Sequence, residues 1–216
     1  MASIPKDIHA FNPENLFFTS DTHFSHENII RFCGRPFSSV EEMNEEMIRR
    51  WNEKVPEDGV VFHLGDFAFG NTKAWTGPLD RLHGKIHLIL GNHDIRGIRQ
   101  SFRDRFESIY MQRLVMIDDR RIYLNHYPFL CYAGTYRSEE DAVWQLFGHV
   151  HTRPADANIE IAGRDDKRMF MLFPHQYDVG VDLNDFTPLS YYEVKEKIEE
   201  QVRQHKDKRG EEDFSI

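Results

Sequence analysis

Five apolar segments of this chain end in the same way: each stops at a small or polar residue, and a side chain that can bind a metal ion follows at once. The segments span residues 16–19, 60–64, 86–90, 122–124 and 145–147. Short apolar runs bounded by polar residues predict buried β-strands. Because strand ends converge on one crevice in a layered α/β fold, we expect the side chains after these strands to lie together. The pattern predicts an α/β protein with one polar site at a sheet edge.

The residues at these strand ends are all of metal-ligand types. They are Asp21, His23, Asp66, Asn92, His126, His149 and His151. Seven ligands are too many for one four-coordinate site, and they suit two metals that share a bridging carboxylate. Residues two apart on a strand point to the same face, which allows Asp21 and His23 to reach one region. Nitrogen and oxygen ligands without a thiolate favour Mn, Fe, Zn or Ni, and metal pairs about 3.5–4 Å apart commonly hydrolyse phosphoesters.

The length and composition of the chain suit one folded domain. It has 216 residues, of which 40% are hydrophobic and 29% charged, so it has enough apolar side chains for a core. We expect one domain over residues 1–205 and a charged, frayed tail over residues 206–216. A capping box at Ser39 and Glu42 predicts a helix that runs to residue 55. Helical patterns also cover residues 139–146 and the segment after Ser190, a hairpin is expected over residues 115–124, and late strands over residues 169–173 and 177–181.

The charge balance and the cysteine content restrict the partners and the compartment. The formal net charge is −9, and an acidic chain binds long duplex nucleic acid poorly because that ligand needs clustered Lys and Arg. No apolar run approaches the roughly 18 residues of a membrane span, and the N-terminal segment lacks the pattern of a signal peptide. Two cysteines provide no disulfide framework. We therefore expect a cytoplasmic protein that contacts neither membranes nor long duplexes.

The polar motifs resemble, in order, the five motifs of the calcineurin-like metallophosphoesterases. They read Asp-Thr-His at residues 21–23, Gly-Asp at 65–66, Gly-Asn-His-Asp at 91–94, His at 126 and Gly-His-Val-His at 148–151. Motifs around His26, Asn28, Arg35 and Asp182 are similar to those of a subset of small bacterial and phage members. The resemblance implies a two-sheet mixed β-sandwich flanked by helices.

The resemblance also implies a role for each motif residue. It implies that Asp21, His23 and His151 bind one metal, that Asn92, His126 and His149 bind a second, and that Asp66 bridges the two. It further implies that His93 sits over the leaving group as the general acid and that Asp94 orients it. We also consider His26, Asn28 and Arg96 as substrate contacts. For His26 and Asn28 a helix-start role is an equal alternative, and most arginines in the position of Arg96 are simply solvated.

These observations predict a phosphohydrolase with two divalent metal ions, in which a metal-bound hydroxide attacks phosphorus in line. We expect a small phosphodiester or a nucleotide-type phosphoester as substrate, because the short chain leaves little room for a separate capping domain. One alternative is a phosphomonoesterase that acts on nucleotides or phosphoproteins. Another is a protein-binding scaffold that has the fold without the activity, but the complete ligand set argues against it.

Overall fold

Strands and helices alternate along the first half of the chain. The structure is a computed structural model that describes residues 11–135, 137, 141–151 and 171–212, with side chains described up to residue 206. Its strands are β1 (Leu16–Thr19), β2 (Val60–His63), β3 (Lys85–Ile89), β4 (Ser108–Tyr110), β5 (Gln112–Ile117), β6 (Arg120–Asn125), β7 (Trp144–Phe147), β8 (Gln176–Asp178) and β9 (Leu189–Ser190). Its helices are α1 (Glu27–Cys33), α2 (Val40–Lys54), α3 (Thr72–Leu79), α4 (Asp94–Gly97), α5 (Gln100–Arg103) and α6 (Tyr191–Glu212), and a 3-10 turn spans Pro13–Asn15.

The strands form two mixed sheets. The larger sheet has the order β4-β3-β2-β1-β9, in which β1 to β4 are parallel and β9 is antiparallel to β1. The smaller sheet has the order β5-β6-β7-β8, with an antiparallel hairpin of β5 and β6 followed by parallel pairs. The predicted hairpin is confirmed, and its turn residues Asp118 and Asp119 both have positive φ angles. The predicted fold class, two mixed sheets flanked by helices, is also confirmed.

The side chains of β1 divide between two hydrophobic cores. Leu16 and Phe18 point into the space between the sheets, where they pack with Ile122 of β6. Phe17 points the other way, into a core shared with Trp51 of α2. Because side chains alternate along a strand, one face of the larger sheet packs against the smaller sheet and the other packs against α1, α2, α3 and α5. These four helices therefore cover the outer face of the larger sheet.

The long helices begin at the residues that the sequence predicts. Ser39 Oγ accepts a hydrogen bond from the backbone N–H of Glu42 at the start of α2. At the start of α6 the Glu193 carboxylate accepts hydrogen bonds from the backbone and the hydroxyl of Ser190, which forms a capping box. Val194 of α6 packs into the core between the sheets. Within the described residues no helix is both long and apolar enough to cross a membrane.

The helix predicted over residues 139–146 is wrong in the part that the structure describes. Residues 144–147 form β7, and residues 141–143 are not helical. Trp144 and Leu146 fill the core between the sheets while Gln145 is buried on the opposite face, so pairing with both neighbouring strands overrides the local helical pattern. The strand predicted over 169–173 starts outside the described residues, and residues 171–173 are not a strand. The strand predicted over 177–181 runs from Gln176 to Asp178.

We predict that His87 makes the stability of the fold depend on pH. Its ring stacks on Phe62 at the margin of the core between the sheets, and burial, with a further contribution from Arg113, lowers its pKa to about 4. Since protonation favours the unfolded chain, the stabilisation is complete above about pH 6.5 and is lost as the pH falls toward 4, by about 2–3 kcal/mol. Urea unfolding of wild type and His87→Gln across this range measures the difference.

A matched control for this experiment is His205→Gln, because His205 is exposed on α6. The control should leave the pH dependence of the unfolding free energy as in the wild type. Parallel curves for wild type and His87→Gln would contradict the prediction.

Candidate metal centre

The backbone segments that follow β1 and β2 continue side by side beyond the ends of the strands. The N–H of Asp21 donates to the carbonyl of Gly65 at 2.9 Å, and the N–H of His23 donates to the carbonyl of Asp66 at 2.9 Å. The next pair, Phe24 and Phe67, is joined in the same way. These bonds extend the parallel pairing past the sheet edge, so the loops that carry the predicted ligands are held at the spacing of a sheet.

One cluster of predicted ligands consists of Asp21, His23 and His151. All three are buried, and one ligand atom from each lies within 4.8 Å of the others. Among the described residues, Asp21 Oδ1 and His23 Nε2 are buried without a hydrogen-bond partner. Leaving buried polar atoms unpaired costs free energy, and a metal ion is one group that can satisfy such atoms.

The second cluster consists of Asp66, His126 and His149, whose ligand atoms also lie within 4.8 Å of one another. The Oδ1 of Asn92 lies 3.2 Å from the Nε2 of His126, so this residue joins the cluster. The Nδ1 of His126 donates to the carbonyl of Leu64 at 2.8 Å, which turns Nε2 toward the other ligands. The structure therefore brings all seven predicted ligands to one edge of the fold.

Asp66 lies between the two clusters. Its Oδ2 is 3.6 Å from the Nε2 of His23 in the first cluster and 3.5 Å from the Nε2 of His126 in the second. Its other oxygen, Oδ1, accepts a hydrogen bond from the backbone N–H of His93 at 2.9 Å. One carboxylate oxygen therefore faces both groups of ligands, while the second oxygen fixes the rotamer of the side chain.

Several of these residues have backbone conformations that are uncommon for residues other than glycine. Positive φ angles occur at Asp21, His23, Asp66, His149 and His151, with values between 48° and 71°. Each costs about 1–3 kcal/mol and persists only where the surroundings enforce it. Glycines next to the site provide the space, since a Cβ on Gly91 would overlap the Asp66 carboxylate and one on Gly148 would overlap that of Asp21. The carboxylates thus pack directly on backbone.

A buried ion pair supports the first cluster from behind. Asp182 accepts a hydrogen bond from the Nδ1 of His151 at 2.6 Å and two more from the Nε and Nη2 of Arg35 at 2.9 and 3.0 Å. The Nη1 and Nη2 groups of Arg35 also donate to the backbone carbonyls of Thr22 and Asp21, respectively. The guanidinium thereby joins the loop after β1 to the residue that orients His151. In the sequence, Arg35 and Asp182 stand out only through motifs that resemble those of the small bacterial and phage members, and no local pattern indicates that the two residues pair.

His93 and Asp94 lie at the start of α4, beside the Asp66 carboxylate. The half-buried ring of His93 is 5.3 Å from that of His23, centroid to centroid. The carboxylate of Asp94 accepts hydrogen bonds from the backbone N–H groups of Asp66, Phe67 and Gly91. Asp94 therefore orders the loop that carries Asp66. Its expected partnership with the His93 ring stays a prediction.

The three predicted substrate contacts occupy different environments. His26 is buried, its Nδ1 lies 3.1 Å from the Nδ1 of His23, and its side chain does not cap α1. Asn28 is exposed on α1 and Arg96 is exposed on α4. Neither of these two has a hydrogen bond or ion pair to the clusters within the described part of the chain, so the structure brings only His26 to the site.

The protonation behaviour of the histidines fits ligands for a cation. Burial, reinforced by the neighbouring His151 and Arg35, holds the pKa of His23 well below its usual value, and a metal ligand must be neutral. Burial lowers the pKa of His126, but the hydrogen bond and charge of Asp66 outweigh it and raise that pKa to about 8. The second cluster thus attracts positive charge. The unpaired atoms, the mixed nitrogen and oxygen donors and this charge all fit divalent metal ions.

Comparison with known proteins agrees with this architecture. The family model described as calcineurin-like phosphoesterase matches residues 15–179. Over 143 residues the chain is 35% identical to the uncharacterised protein MJ1445 of Methanocaldococcus jannaschii, a match that covers 65% of this chain and 72% of the relative. Over 210 residues it is 27% identical to the Gene 66 protein of Mycobacterium phage D29, covering 85% of this chain and 96% of the phage protein. The crystal structure of AQ665 from Aquifex aeolicus, a protein of unknown function, shares the fold, with 23% identity, a TM-score of 0.61 and coverage of 87% of this chain and 99% of that one.

We predict that Asp182→Asn weakens metal binding at the first cluster by about 10- to 100-fold, as is usual when a group that orients a ligand histidine is lost. The amide lacks the charge that holds the His151 ring, whereas the second cluster has no contact with Asp182. Calorimetric titration with Mn²⁺ measures both affinities in one protein, so a general loss of stability affects both equally. Asp119→Asn, in the exposed turn of the hairpin, is the control. An equal loss at both clusters would contradict the prediction.

Proposed function

This chain belongs to the calcineurin-like phosphoesterase family and is a metal-dependent hydrolase of ester bonds, and we propose that it hydrolyses a small phosphodiester or nucleotide-type substrate with two divalent metal ions. The position of Asp66 Oδ2, 3.6 Å from a first-cluster nitrogen and 3.5 Å from a second-cluster nitrogen, carries this proposal. A carboxylate oxygen between two sets of ligands is the arrangement that a shared pair of metals requires.

We assign the first metal to Asp21, His23 and His151 and the second to Asn92, His126 and His149, with Asp66 shared. When bound, such metals supply Lewis acidity that stabilises charge on phosphoryl oxygens and lowers the pKa of water. The Mn, Fe, Zn and Ni ions all suit these donors. Asp21, His23, Asp66, His126 and His151 are buried, whereas Asn92 is partly buried and His149 is exposed. Hydrogen-bonded loops hold most of these side chains in place.

His93 is the general acid in this proposal. Its backbone N–H holds the Asp66 carboxylate, which fixes the base of the side chain beside the reacting centre. Its ring is half-buried and lies next to the rings of His23 and His26, at centroid distances of 5.3 and 5.9 Å. From this position an imidazole N–H donates a proton to the oxygen that leaves phosphorus.

The net charge of −9 favours a small substrate over a long polyanion, because a duplex would be repelled by an acidic chain without a basic track. The buried Arg35 cannot serve as a phosphate contact, since its donors are already bonded to Asp182 and to backbone carbonyls. Among the described residues, we assign recognition of the phosphoryl group to His26 and His93, beside the metals. A diester with one negative charge suits the few positive side chains that the described part of the chain places at the site.

We predict that Asp66→Asn reduces hydrolysis at least about 100-fold and lowers the metal content of the protein, because the amide replaces a charged oxygen that serves both metals. Wild type, saturated with Mn²⁺ and then desalted, should retain two metals per chain by elemental analysis. Asp119→Asn exchanges the same groups at an exposed turn and should match the wild type. Circular dichroism checks that each variant is folded. Full activity of Asp66→Asn, or one metal per saturated chain, would contradict the proposal.

A substrate panel separates the proposal from its alternatives. It compares nitrophenyl monoesters, bis-nitrophenyl diesters, dinucleotides and cyclic nucleotides, each with several metals. Higher kcat/KM for diesters than for monoesters supports the proposal, and the reverse order supports the phosphomonoesterase. A folded, metal-loaded protein that cleaves none of them supports the binding scaffold.

We predict that the effect of His93→Ala depends on the leaving group. A general acid contributes about 10²–10⁴-fold when a basic alkoxide leaves and little when a nitrophenolate leaves. The variant should lose most of its activity on dinucleotides and much less on nitrophenyl diesters, measured with one enzyme preparation so that metal content is the same for both. His205→Ala is the control. An equal loss on both substrates would show that His93 positions a metal or the phosphate and does not donate the proton.

A further inference from the structure

Phe69 is an exposed aromatic residue in a segment whose other aromatic residues are buried. It follows the bridging residue Asp66 by three positions, and 47% of its surface is exposed. Phe67 and Phe24, its neighbours in the paired loops, are fully buried. Single exposed apolar side chains are common on protein surfaces and need no explanation by themselves. The position of this ring relative to the site histidines distinguishes it from such cases.

The structure holds the Phe69 ring against two histidines of the candidate site. Its ring stacks on that of His26 at a centroid distance of 4.4 Å and an interplanar angle of 22°. It meets the ring of His93 edge to face at 5.7 Å. Its backbone is fixed as well, since its N–H donates to the carbonyl of Phe24 at 2.9 Å. An exposed aromatic ring is therefore fixed in place beside the residue that we assign to the leaving group.

We propose that Phe69 is a stacking position for a nucleobase on the leaving-group side of the substrate. This inference rests on the proposed function, because it assumes that His93 protonates the departing oxygen. A leaving group that is protonated by His93 lies within about one ring width of Phe69. Every nucleobase offers a planar face to an aromatic ring. Phe69 carries no charge or hydrogen-bonding group, so it suits a flat, weakly polar surface and not a phosphate.

A comparison of leaving groups tests the inference. Phe69→Leu keeps an apolar side chain but removes the planar face, and Phe69→Tyr keeps that face. We expect Phe69→Leu to lower kcat/KM for a dinucleoside monophosphate by about 5- to 150-fold, mainly through KM, and to leave the methyl ester of the same nucleotide nearly unchanged. Phe69→Tyr should restore the wild-type values. Phe32→Leu changes another exposed phenylalanine, on α1, and should have no effect.

A binding measurement provides a readout that does not depend on turnover. The probe is 2-aminopurine riboside, a fluorescent nucleoside without phosphate, titrated into the full chain with and without added Mn²⁺. Stacking should quench its fluorescence with the wild type and with Phe69→Tyr, and the quenching should be lost with Phe69→Leu. In the kinetic comparison, a longer single strand replaces the dinucleoside monophosphate as substrate. The two kcat/KM values then show whether the stacked base comes from a strand end or from a free dinucleotide.

The two proposals fail in distinguishable ways. If no phosphoester is cleaved, the proposed function fails, and the inference fails with it because no leaving group exists. If diesters are cleaved but Phe69→Leu lowers kcat/KM equally for the dinucleoside and the methyl ester, or leaves both unchanged, the inference is overturned and the proposed function stands. Undiminished quenching by Phe69→Leu would also overturn it.

Discussion

The burial of several carboxylates at one sheet edge determines which partners the rest of the site has to provide. Asp21, Asp66, Asp94 and Asp182 are all buried there, and each needs compensation because a buried charge without a partner is costly. Asp182 has Arg35, and Asp94 has three backbone N–H groups. Asp21 and Asp66 face histidines instead. The negative charge of these two carboxylates is therefore available for a cation to neutralise.

The rigidity of the site comes mainly from backbone pairing, to which the side chain of Arg35 adds hydrogen bonds that join the loop after β1 to Asp182. The loops after β1 and β2 remain hydrogen-bonded to each other through Phe24 and Phe67, and apolar residues on both faces of the larger sheet hold the strands in place. The strained φ angle of Asp66 is maintained by this framework, with Asp94 bonded to the backbone on either side. The stability of the two cores thus offsets the strain that the ligand geometry imposes.

Sequence patterns predicted the layers and the strand-end cluster because both depend on local periodicity and on strand termination. Residues 145–147 were predicted as a strand, but a helical pattern over residues 139–146 overlapped it and was wrong, since Trp144 and Gln145 pair with strands that are distant in sequence. The Arg35–Asp182 pair joins residues 147 positions apart, and no local pattern links them. The carboxylate of Asp94 accepts hydrogen bonds from backbone N–H groups, and a sequence pattern does not reveal such partners. The number of metals, the residue roles, the domain limits and the cytoplasmic location stay predictions.

The close contact between Gly91 and the carboxylate of Asp66 has a consequence for anyone who would transfer this centre to another scaffold. The Oδ1 of Asp66 rests on the backbone that follows β3, so the position of this carboxylate depends on the spacing between two adjacent parallel strands, about 4.8 Å. A design that copied only the side chains of the two clusters would leave the Asp66 carboxylate free to adopt another rotamer. A transfer to another scaffold therefore has to include the ends of two neighbouring strands and the glycine between them, as well as the ligand side chains.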